Sequence, residues 1–234
     1  MLNIKLFLDG ADLDQMIEAS QDSKIQGFTT NPTLMKKSGI KDYESFARKI
    51  IASIPNKPIS FEVFSDDIDK MEKEARVINS WCGNTYIKIP IMNTKGDSTC
   101  ALIKKLSHEG FSINITAIFT IAQVKEVAKS VSSKSKTIIS IFAGRIADTG
   151  IDPVPIMMQS KDIIKDNSNA ELLWASPREL LNIFQANNCG CDIITATNDV
   201  LKKLDYVGKD LTEFSNETVK MFYNDAKSAG YKLL

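Results

Sequence analysis

The sequence has 234 residues, of which 43% are hydrophobic and 25% charged, a composition typical of a globular protein with one sizeable core. Lysine plus arginine and aspartate plus glutamate both number 29, so a net charge of zero gives no bulk attraction to nucleic acid or to an anionic membrane. With no bilayer-length apolar run, no signal peptide and too few cysteines for a disulfide framework, the sequence favours a cytoplasmic protein.

Short apolar or β-branched runs alternate with segments of helical spacing along the whole chain. The predicted strands are 4–9, 27–31, 59–64, 85–91, 112–119, 136–144, 171–176 and 192–197. One helical stripe comprises Ile68, Met71, Ala75, Ile78 and Cys82. Helix starts are indicated at Asn31-Pro32, at Thr120 with Gln123, and at Ser176 with Pro177 and Glu179; helix ends are indicated at Gly110 and Gly190.

Eight strands alternating with helices predict a parallel sheet with helical crossovers. At this length the pattern favours one closed (β/α)8 barrel as a single domain over residues 1–234. An open doubly wound sheet is the competing fold, but the turn Asp9-Gly10-Ala11-Asp12 lacks its glycine-rich phosphate signature. An additional amphipathic helix is expected at about 212–234, packed across the barrel or onto another subunit.

The segment from Tyr86 to Ile91 indicates an unusual buried strand. Its three isoleucines share one face, which leaves Lys88 on the other face of a run too apolar for an exposed edge. Burial disfavours an ammonium ion, and a neutral lysine amine can attack a carbonyl. Taken alone, the segment favours a paired structural lysine over a catalytic one, and the rest of the chain reverses that preference.

Strand parity brings further polar residues to the same side as Lys88. If the aliphatic rows pack against helices, the inward polar residues are Asp9, Asn31, Glu62, Lys88, Asn114, Thr116, Ser140 and Ser176. Most lie late in their strands, where barrel active sites are built. Unsatisfied buried polar groups cost about 1–3 kcal/mol each, so such a convergence predicts a functional site rather than a stabilising feature.

The residue types predict Schiff-base chemistry, in which Lys88 attacks a ketone or aldehyde and the imine accepts electrons from a breaking C–C bond. Glu62 suits proton shuttling through a water held by Thr116, and Asp9 suits removal of the hydroxyl proton. Asn31, Asn114 and Ser140 could hold sugar hydroxyls. Arg145, Arg178 and Ser176 could hold a phosphate, aided by a helix N-terminus.

Simpler roles exist for several of these residues. Asn31 and Ser176 could serve only as helix caps, and Thr116 could be an ordinary strand threonine. Arg145 could pair with Asp148, and Arg178 with Glu179 or solvent. Phe142 and Trp174 favour barrel core over stacking, and the single histidine, His108, is expected at the surface, which nearly excludes histidine triads and zinc centres.

Seven motifs occur in the order found in one enzyme family. They are Phe7-Leu8-Asp9, Thr29-Thr30-Asn31-Pro32-Thr33-Leu34, Phe61-Glu62-Val63, Ile87-Lys88-Ile89-Pro90, Ile113-Asn114-Ile115-Thr116, Phe142-Ala143-Gly144-Arg145 and Ala175-Ser176-Pro177-Arg178. From the first strand to about Leu204 the chain resembles the transaldolases, especially the short group that includes fructose-6-phosphate aldolase.

The resemblance implies a class I aldolase barrel without metal or cofactor, often a homo-oligomer. It implies that Lys88 is the nucleophile, that Glu62 and Asp9 are acid/base residues, and that Thr116 holds the catalytic water. Asn31, Asn114 and Ser140 match substrate-hydroxyl positions, and Arg145, Ser176 and Arg178 match phosphate positions. The implied partners are sugar phosphates: a dihydroxyacetone unit passes from a ketose phosphate to an aldose phosphate such as erythrose 4-phosphate.

Glu62 and Phe142 resemble the transaldolase branch, because the aldolase branch typically has glutamine and tyrosine there. Gly10, Asn198 and the tail from Asp205 depart from the family pattern and bear on the donor and acceptor. Three alternatives stay open: an aldolase that releases dihydroxyacetone, an enzyme acting on a modified ketose, and a non-catalytic sugar-phosphate-binding protein. The last predicts loss of Lys88, Glu62 or Asp9, yet all three are present.

Overall fold

The computed structural model describes residues 2–81 and 84–233 and contains a closed parallel barrel, as the alternating pattern predicted. Its strands follow one another around the barrel in chain order. They are β1 Lys5–Asp9, β2 Ile25–Thr29, β3 Ile59–Glu62, β4 Thr85–Pro90, β5 Ile113–Ile118, β6 Thr137–Ile141, β7 Ala170–Trp174 and β8 Ile193–Ala196. The (β/α)8 prediction is confirmed, and the open sheet is excluded.

Helices connect successive strands. They are α1 Leu13–Ser20, α2 Pro32–Lys37, α3 Tyr43–Ser53, α4 Ile68–Ser80, α5 Cys100–His108, α6 Ile121–Ser130, α7 Ala143–Ala147, α8 Val154–Ile164, α9 Leu181–Asn188, α10 Asn198–Leu201 and, after a 3-10 helix at Lys202–Tyr206, α11 Leu211–Ser228. In the described ranges, none of these helices is long and apolar enough to cross a bilayer. His108 is exposed at the end of α5.

The strand pattern sorts side chains as the parity argument predicted. Ile87 and Ile89 of β4 are fully buried, and α4 packs on this strand. The opposite row enters the barrel, where one apolar cluster contains Phe7, Tyr86, Ile138, Leu173, Ala175 and Ile193. Phe7, Tyr86 and Ile138 form its lower part, since Asp9, Lys88 and Ser140 follow them by two residues on the same strands. Leu173 and Ala175 of the same cluster line the cavity above. The barrel interior is therefore apolar below and polar above.

Most of the predicted helix starts and ends are present in the structure. Asn31 accepts a hydrogen bond from Leu34 N–H with Pro32 at the first helical position, and Thr120 with Gln123 forms a full capping box. Gly110 and Gly190 have φ of 86° and 78°, which suits the chain reversals after α5 and α9. Cys82, the last member of the predicted stripe on α4, lies outside the described residues.

The predicted capping box at Ser176 is wrong. The helix begins later, at Leu181, and Ser176 instead adopts a left-handed conformation with φ 58°. The side chain of Asn182 accepts the backbone N–H groups of Arg178 and Glu179, at 2.7 and 3.2 Å. A carbonyl acceptor inside the helix therefore replaces the serine that the sequence pattern favoured.

Strand ends also differ from the sequence-based bounds. The predicted strand 27–31 is shifted to Ile25–Thr29, and the predicted strand 136–144 ends at Ile141, because helices start directly after the pairing residues. At β6 the next helix begins at Ala143. Residues such as Asn31 and Phe142 therefore lie in turns beyond the strands, at the carboxyl end of the barrel.

The chain divides after Leu201 into two compact units. The second unit contains the 3-10 helix and α11, so the additional C-terminal helix predicted at about 212–234 exists, with bounds Leu211–Ser228. Within this unit the ring of Tyr206 packs on Phe214 with centroids 5.8 Å apart. The apolar residues Val219, Met221 and Phe222 are exposed.

Gly144 provides the first testable prediction. A Cβ atom at this position would lie 1.5 Å from the carbonyl oxygen of Ser176, which is backbone and cannot rotate away. We expect Gly144→Ala to lower the free energy of unfolding by at least about 2 kcal/mol, measured by urea denaturation. Gly10→Ala is the matched control, because its Cβ would meet only side-chain atoms at 3.8 and 3.9 Å. Equal stability of the two variants would contradict the close approach.

Candidate active site

A polar cavity of about 370 Å³ opens at the carboxyl end of the barrel strands. Most of the sequence-predicted site residues line it: Asp9, Asn31, Glu62, Lys88, Thr116, Ser140, Phe142, Arg145 and Ser176. Asn114 and Arg178 are not among the lining residues. Parity and strand position thus identified most of a site whose members are scattered from the first strand to the turn after the seventh.

Lys88 lines this cavity and is 7% exposed. Its Nζ donates to the carbonyl oxygen of Thr30 at 3.0 Å and lies 3.5 Å from Oε2 of Glu62. Strand register sets this neighbourhood, because Glu62 and Asn114 are the residues paired with Lys88 on the two adjacent strands. The Thr30 carbonyl and the Glu62 carboxylate therefore hold the Lys88 amine, and the Lys88 side chain also lines the cavity.

Two hydrogen-bond donors, one at the end of β2 and one in the turn that follows it, hold the carboxyl group of Asp9. Thr29 Oγ1 donates to Oδ1 at 2.8 Å, and Asn31 Nδ2 donates to Oδ2 at 3.1 Å. Thr195 Oγ1 lies 2.5 Å from Thr29 Oγ1, which extends the chain of hydroxyls. Burial raises the pKa of the Asp9 carboxyl, and the charge of Lys88 and the two donors act in the opposite direction. Asp9 is thus a desolvated carboxyl group that lines the cavity.

Asn31 serves two purposes in one side chain. Its oxygen caps α2 by accepting from Leu34 N–H at 2.9 Å, while its nitrogen donates to Asp9. The capping role considered from the sequence is therefore present, and the same side chain also contacts Asp9 at the cavity. Because the helix fixes the amide, the donor reaches Asp9 in a defined orientation.

Asn114 lies behind the cavity wall and supports Ser140. Ser140 Oγ donates to Asn114 Oδ1 at 2.6 Å, and Asn114 Nδ2 donates to Ser60 Oγ at 3.0 Å. All three residues are at most 2% exposed. Asn114 therefore orients the Ser140 hydroxyl, and Ser140 is the member of the pair that faces the cavity.

Thr116 presents an unsatisfied hydroxyl to the site. Its Oγ1 is buried and has no hydrogen-bond partner among the described residues, although the side chain lines the cavity. A buried hydroxyl left unpaired costs about 1–3 kcal/mol, so this position favours a water or substrate oxygen as its partner. The following residue, Ala117, has φ 59°, and the β5–β6 register shifts between Ile115 and Ile118.

Ala117 and Ser176 both adopt left-handed conformations, and both line the cavity. Such conformations cost a non-glycine residue of order 1–3 kcal/mol and concentrate at functional sites. Ala117 lies at the irregularity near the end of β5 and Ser176 lies in the turn after β7, and both neighbouring segments contribute polar groups to the cavity.

The three predicted phosphate residues are separated by the fold. Arg145 lines the cavity from α7, with its guanidinium 5.4 Å from the ring centroid of Phe142, and Ser176 also lines it. Arg178 instead makes a two-pronged ion pair with Asp148 and is half exposed. Because Ser176 does not begin a helix, the predicted helix-dipole contribution at this serine is absent.

Three residues near the site were missed at the sequence level. Thr29 and Thr195 line the cavity and share the inward parity of Asn31 and Ile193, so the parity argument could have found them. Tyr43, on α3, hydrogen-bonds to the backbone of Glu62. Its helical position carries no strand parity, and no sequence signal places its hydroxyl beside β3.

The fold and site together define a (β/α)8 barrel protein with a cavity at the carboxyl end of its strands that a buried lysine lines. Residues 6–233 match the family model described as Transaldolase/Fructose-6-phosphate aldolase. The chain therefore belongs to the transaldolase/fructose-6-phosphate aldolase family, an enzyme family of sugar-phosphate metabolism. The resemblance read from the seven motifs is thus confirmed.

Curated relatives agree over most of their lengths. A probable transaldolase of Sphingopyxis alaskensis is 34% identical over 203 residues, covering 86% of this chain and 89% of that protein. A probable transaldolase of a Thermoanaerobacter species is 34% identical over 231 residues, covering 98% of this chain and all of that protein. Probable transaldolase 2 of Listeria monocytogenes is 33% identical over 202 residues, covering 86% and 88%.

Solved structures support the fold alone. A putative dihydrodipicolinate synthase family protein from Coccidioides immitis aligns with a TM-score of 0.62 at 8% identity, covering 83% of this chain and 67% of that one. A mandelate oxidase mutant aligns with a TM-score of 0.58 at 12% identity, covering 87% and 68%.

The raised pKa of Asp9 predicts a pH-dependent cost to stability. Its folded pKa exceeds the ordinary 3.8, so the native state binds this proton more tightly than the unfolded chain, and the ionised carboxylate destabilises the fold. The cost is complete above the folded pKa and vanishes as the pH falls below 3.8. The melting temperature of Asp9→Asn relative to wild type should therefore rise as the pH is raised above about 4, until the folded pKa of Asp9 is passed.

The test rests on how the difference in melting temperature between Asp9→Asn and wild type changes with pH. A hydrogen bond lost on replacing the carboxyl by an amide would lower the melting temperature of the variant equally at every pH. Exposed Asp14 on α1 gives the matched control, and Asp14→Asn should show no such gain. A parallel pH course for wild type and Asp9→Asn would contradict the desolvation of Asp9.

Proposed function

We propose that the protein is a transaldolase, which transfers a dihydroxyacetone unit from a ketose phosphate to an aldose phosphate through a Schiff base on Lys88. The observation that carries the proposal is the amine of Lys88, buried in the barrel yet facing the cavity, with Glu62 Oε2 at 3.5 Å. Fructose 6-phosphate and sedoheptulose 7-phosphate are the proposed donors. Erythrose 4-phosphate and glyceraldehyde 3-phosphate are the proposed acceptors.

The first step joins the donor to the enzyme. The Lys88 amine attacks the ketose carbonyl carbon, and the carbinolamine loses its hydroxyl as water to leave an iminium ion. Glu62 suits the proton transfers because it faces the same amine, and a water held by Thr116 would satisfy the unpaired hydroxyl found there. No metal or cofactor takes part in the proposed mechanism.

The second step breaks and remakes a C–C bond. Asp9 accepts the proton of the hydroxyl on the leaving carbon, the aldose phosphate departs, and the bonding electrons remain as an enamine on Lys88. The acceptor aldehyde is then attacked by the enamine, which becomes an iminium ion again, and Asp9 returns its proton to the new hydroxyl. Water then hydrolyses the iminium ion, which releases the new ketose phosphate and restores the Lys88 amine. Burial raises the pKa of Asp9, which suits a group that accepts and returns one proton per cycle.

The remaining lining residues are proposed to hold the substrate. Asn31 and Ser140 would bind sugar hydroxyls, with Asn114 acting through Ser140. Arg145 and Ser176 would bind the phosphate, and Phe142 would shape the pocket beside Arg145. Arg178 would contribute only after releasing Asp148. A cytoplasmic homo-oligomer stays a prediction.

Aldol cleavage that releases free dihydroxyacetone is the second candidate, because the matching family model covers both activities. Three observations favour transfer. Glu62 supplies a carboxylate and Phe142 lacks the phenol found in the aldolase branch, and the curated relatives are named probable transaldolases. An enzyme for a modified ketose shares the same chemistry, whereas the presence of Lys88, Glu62 and Asp9 disfavours a non-catalytic binding protein.

A product assay separates transfer from release. With fructose 6-phosphate and erythrose 4-phosphate we expect sedoheptulose 7-phosphate, and with the donor alone little free dihydroxyacetone. Lys88→Met should lower turnover by at least about a thousandfold, because it removes the nucleophile. Lys57→Met is the matched control, since Lys57 is a partly buried lysine bonded to the carbonyls of Ser20 and Asp22.

Free dihydroxyacetone as the main product would favour the aldolase candidate. Normal turnover by folded Lys88→Met would contradict both candidates.

The two arginines give a prediction about phosphate binding. Arg145 faces the cavity without an ion pair among the described residues, whereas Arg178 already pairs with Asp148. Charge-assisted hydrogen bonds contribute about 1.5–3 kcal/mol, so Arg145→Ala should raise the donor KM about tenfold to a hundredfold. Arg178→Ala should raise it less. A larger effect of Arg178→Ala would show that this arginine turns into the cavity when substrate binds.

A further inference from the structure

The pairing between β2 and β3 ends just below the site. Its register stops at Thr29 opposite Ser60, and the last bond runs from Thr30 N–H to the Ser60 carbonyl at 3.3 Å. In a regular parallel ladder the next bond would run from Glu62 N–H to the Thr30 carbonyl. That carbonyl instead accepts Lys88 Nζ at 3.0 Å. Holding the lysine thus leaves the backbone of Glu62 without its ladder partner.

The hydroxyl of Tyr43 occupies the vacated position. Glu62 N–H donates to Tyr43 Oη at 2.7 Å, and the same hydroxyl donates to the Glu62 carbonyl at 3.0 Å. One side-chain group therefore satisfies both backbone groups of a single residue. A buried backbone group left unpaired is strongly disfavoured, so this contact fixes where β3 ends and how the Glu62 side chain leaves it.

Tyr43 is itself held firmly. It is the first residue of α3, which Asp42 caps by accepting from Ser45 N–H. Its ring packs edge-on against three aromatic rings. The centroid distances are 6.1 Å to Phe61, 4.6 Å to Phe64 and 5.6 Å to Trp81. Burial raises the pKa of the Tyr43 phenol, so it stays protonated and able to donate.

We propose that Tyr43 is a positioning residue that aligns the carboxylate of Glu62 with Lys88, its hydroxyl replacing the ladder bond that Thr30 gives up to the lysine. The inference rests on the proposed function, because it assigns Tyr43 a role only through the proton transfers of Glu62. It adds a residue from α3 to a set of proposed catalytic residues that otherwise lie on strands.

Steady-state kinetics of Tyr43→Phe test the proposal, since phenylalanine keeps the ring contacts and removes only the hydroxyl. We expect kcat to fall roughly tenfold, because a small displacement of a catalytic group is costly, while the donor KM changes less than about twofold. Tyr86→Phe is the matched control: Tyr86 is 8% exposed and lies two residues before Lys88 on the same strand. It should leave kcat unchanged.

A double-mutant cycle separates positioning from general loosening of the barrel. If Tyr43 acts through the Glu62 carboxylate, Tyr43→Phe should have little effect on kcat in a Glu62→Gln background. Equal fold-losses in both backgrounds would assign Tyr43 a purely structural role and overturn the proposal. Unchanged kcat in the single variant would overturn it too.

Failure of the proposed function is visible separately, as wild-type protein that shows no Lys88-dependent turnover at all. In that case, or if Tyr43→Phe does not fold, hydrogen exchange of the wild-type backbone remains decisive. The Glu62 amide should be protected to about the same degree as the Val63 amide, which donates to the Lys88 carbonyl at 3.1 Å. Exchange of the Glu62 amide as fast as in an exposed loop would refute the contact and the proposal with it.

Discussion

The burial of Lys88 is the constraint on which the rest of the site depends. An ammonium or amine inside a barrel requires partners, and this chain provides a carbonyl from one strand end and a carboxylate from the next. Using the Thr30 carbonyl for this purpose interrupts the β2–β3 ladder, and the fold compensates with the Tyr43 hydroxyl. The contacts that begin at the Lys88 amine therefore continue through Thr30 and Glu62 to Tyr43 on α3, outside the sheet.

Several features at the carboxyl end of the barrel lower the stability of the fold. The unpaired hydroxyl of Thr116, the desolvated carboxyl of Asp9 and the left-handed Ala117 and Ser176 each carry a cost that close packing would avoid. The apolar layer of Phe7, Tyr86 and Ile138 lies directly below and is buried. These strained and desolvated groups lie at the carboxyl end of the barrel, where the cavity opens.

Much of this arrangement is predictable from the sequence, because alternation along a strand fixes which side chains face inward. That rule placed Asp9, Glu62, Lys88 and Thr116 together without any knowledge of distance. It fails for residues in turns and helices. Ser176 matched a capping pattern, yet Asn182 provides the acceptor; Arg178 follows the same strand as Ser176, yet pairs with Asp148. Tyr43 depends on how α3 packs over β3, which no local pattern encodes.

The most direct test is to trap the imine. Borohydride added to the protein with fructose 6-phosphate reduces an imine to a stable amine, and peptide masses then locate it. The account predicts one dihydroxyacetone-sized adduct per chain on Lys88, which disappears when erythrose 4-phosphate is added before the reductant. The account would be contradicted if the protein catalysed the reaction but gave no adduct. An adduct on any other lysine would contradict it too.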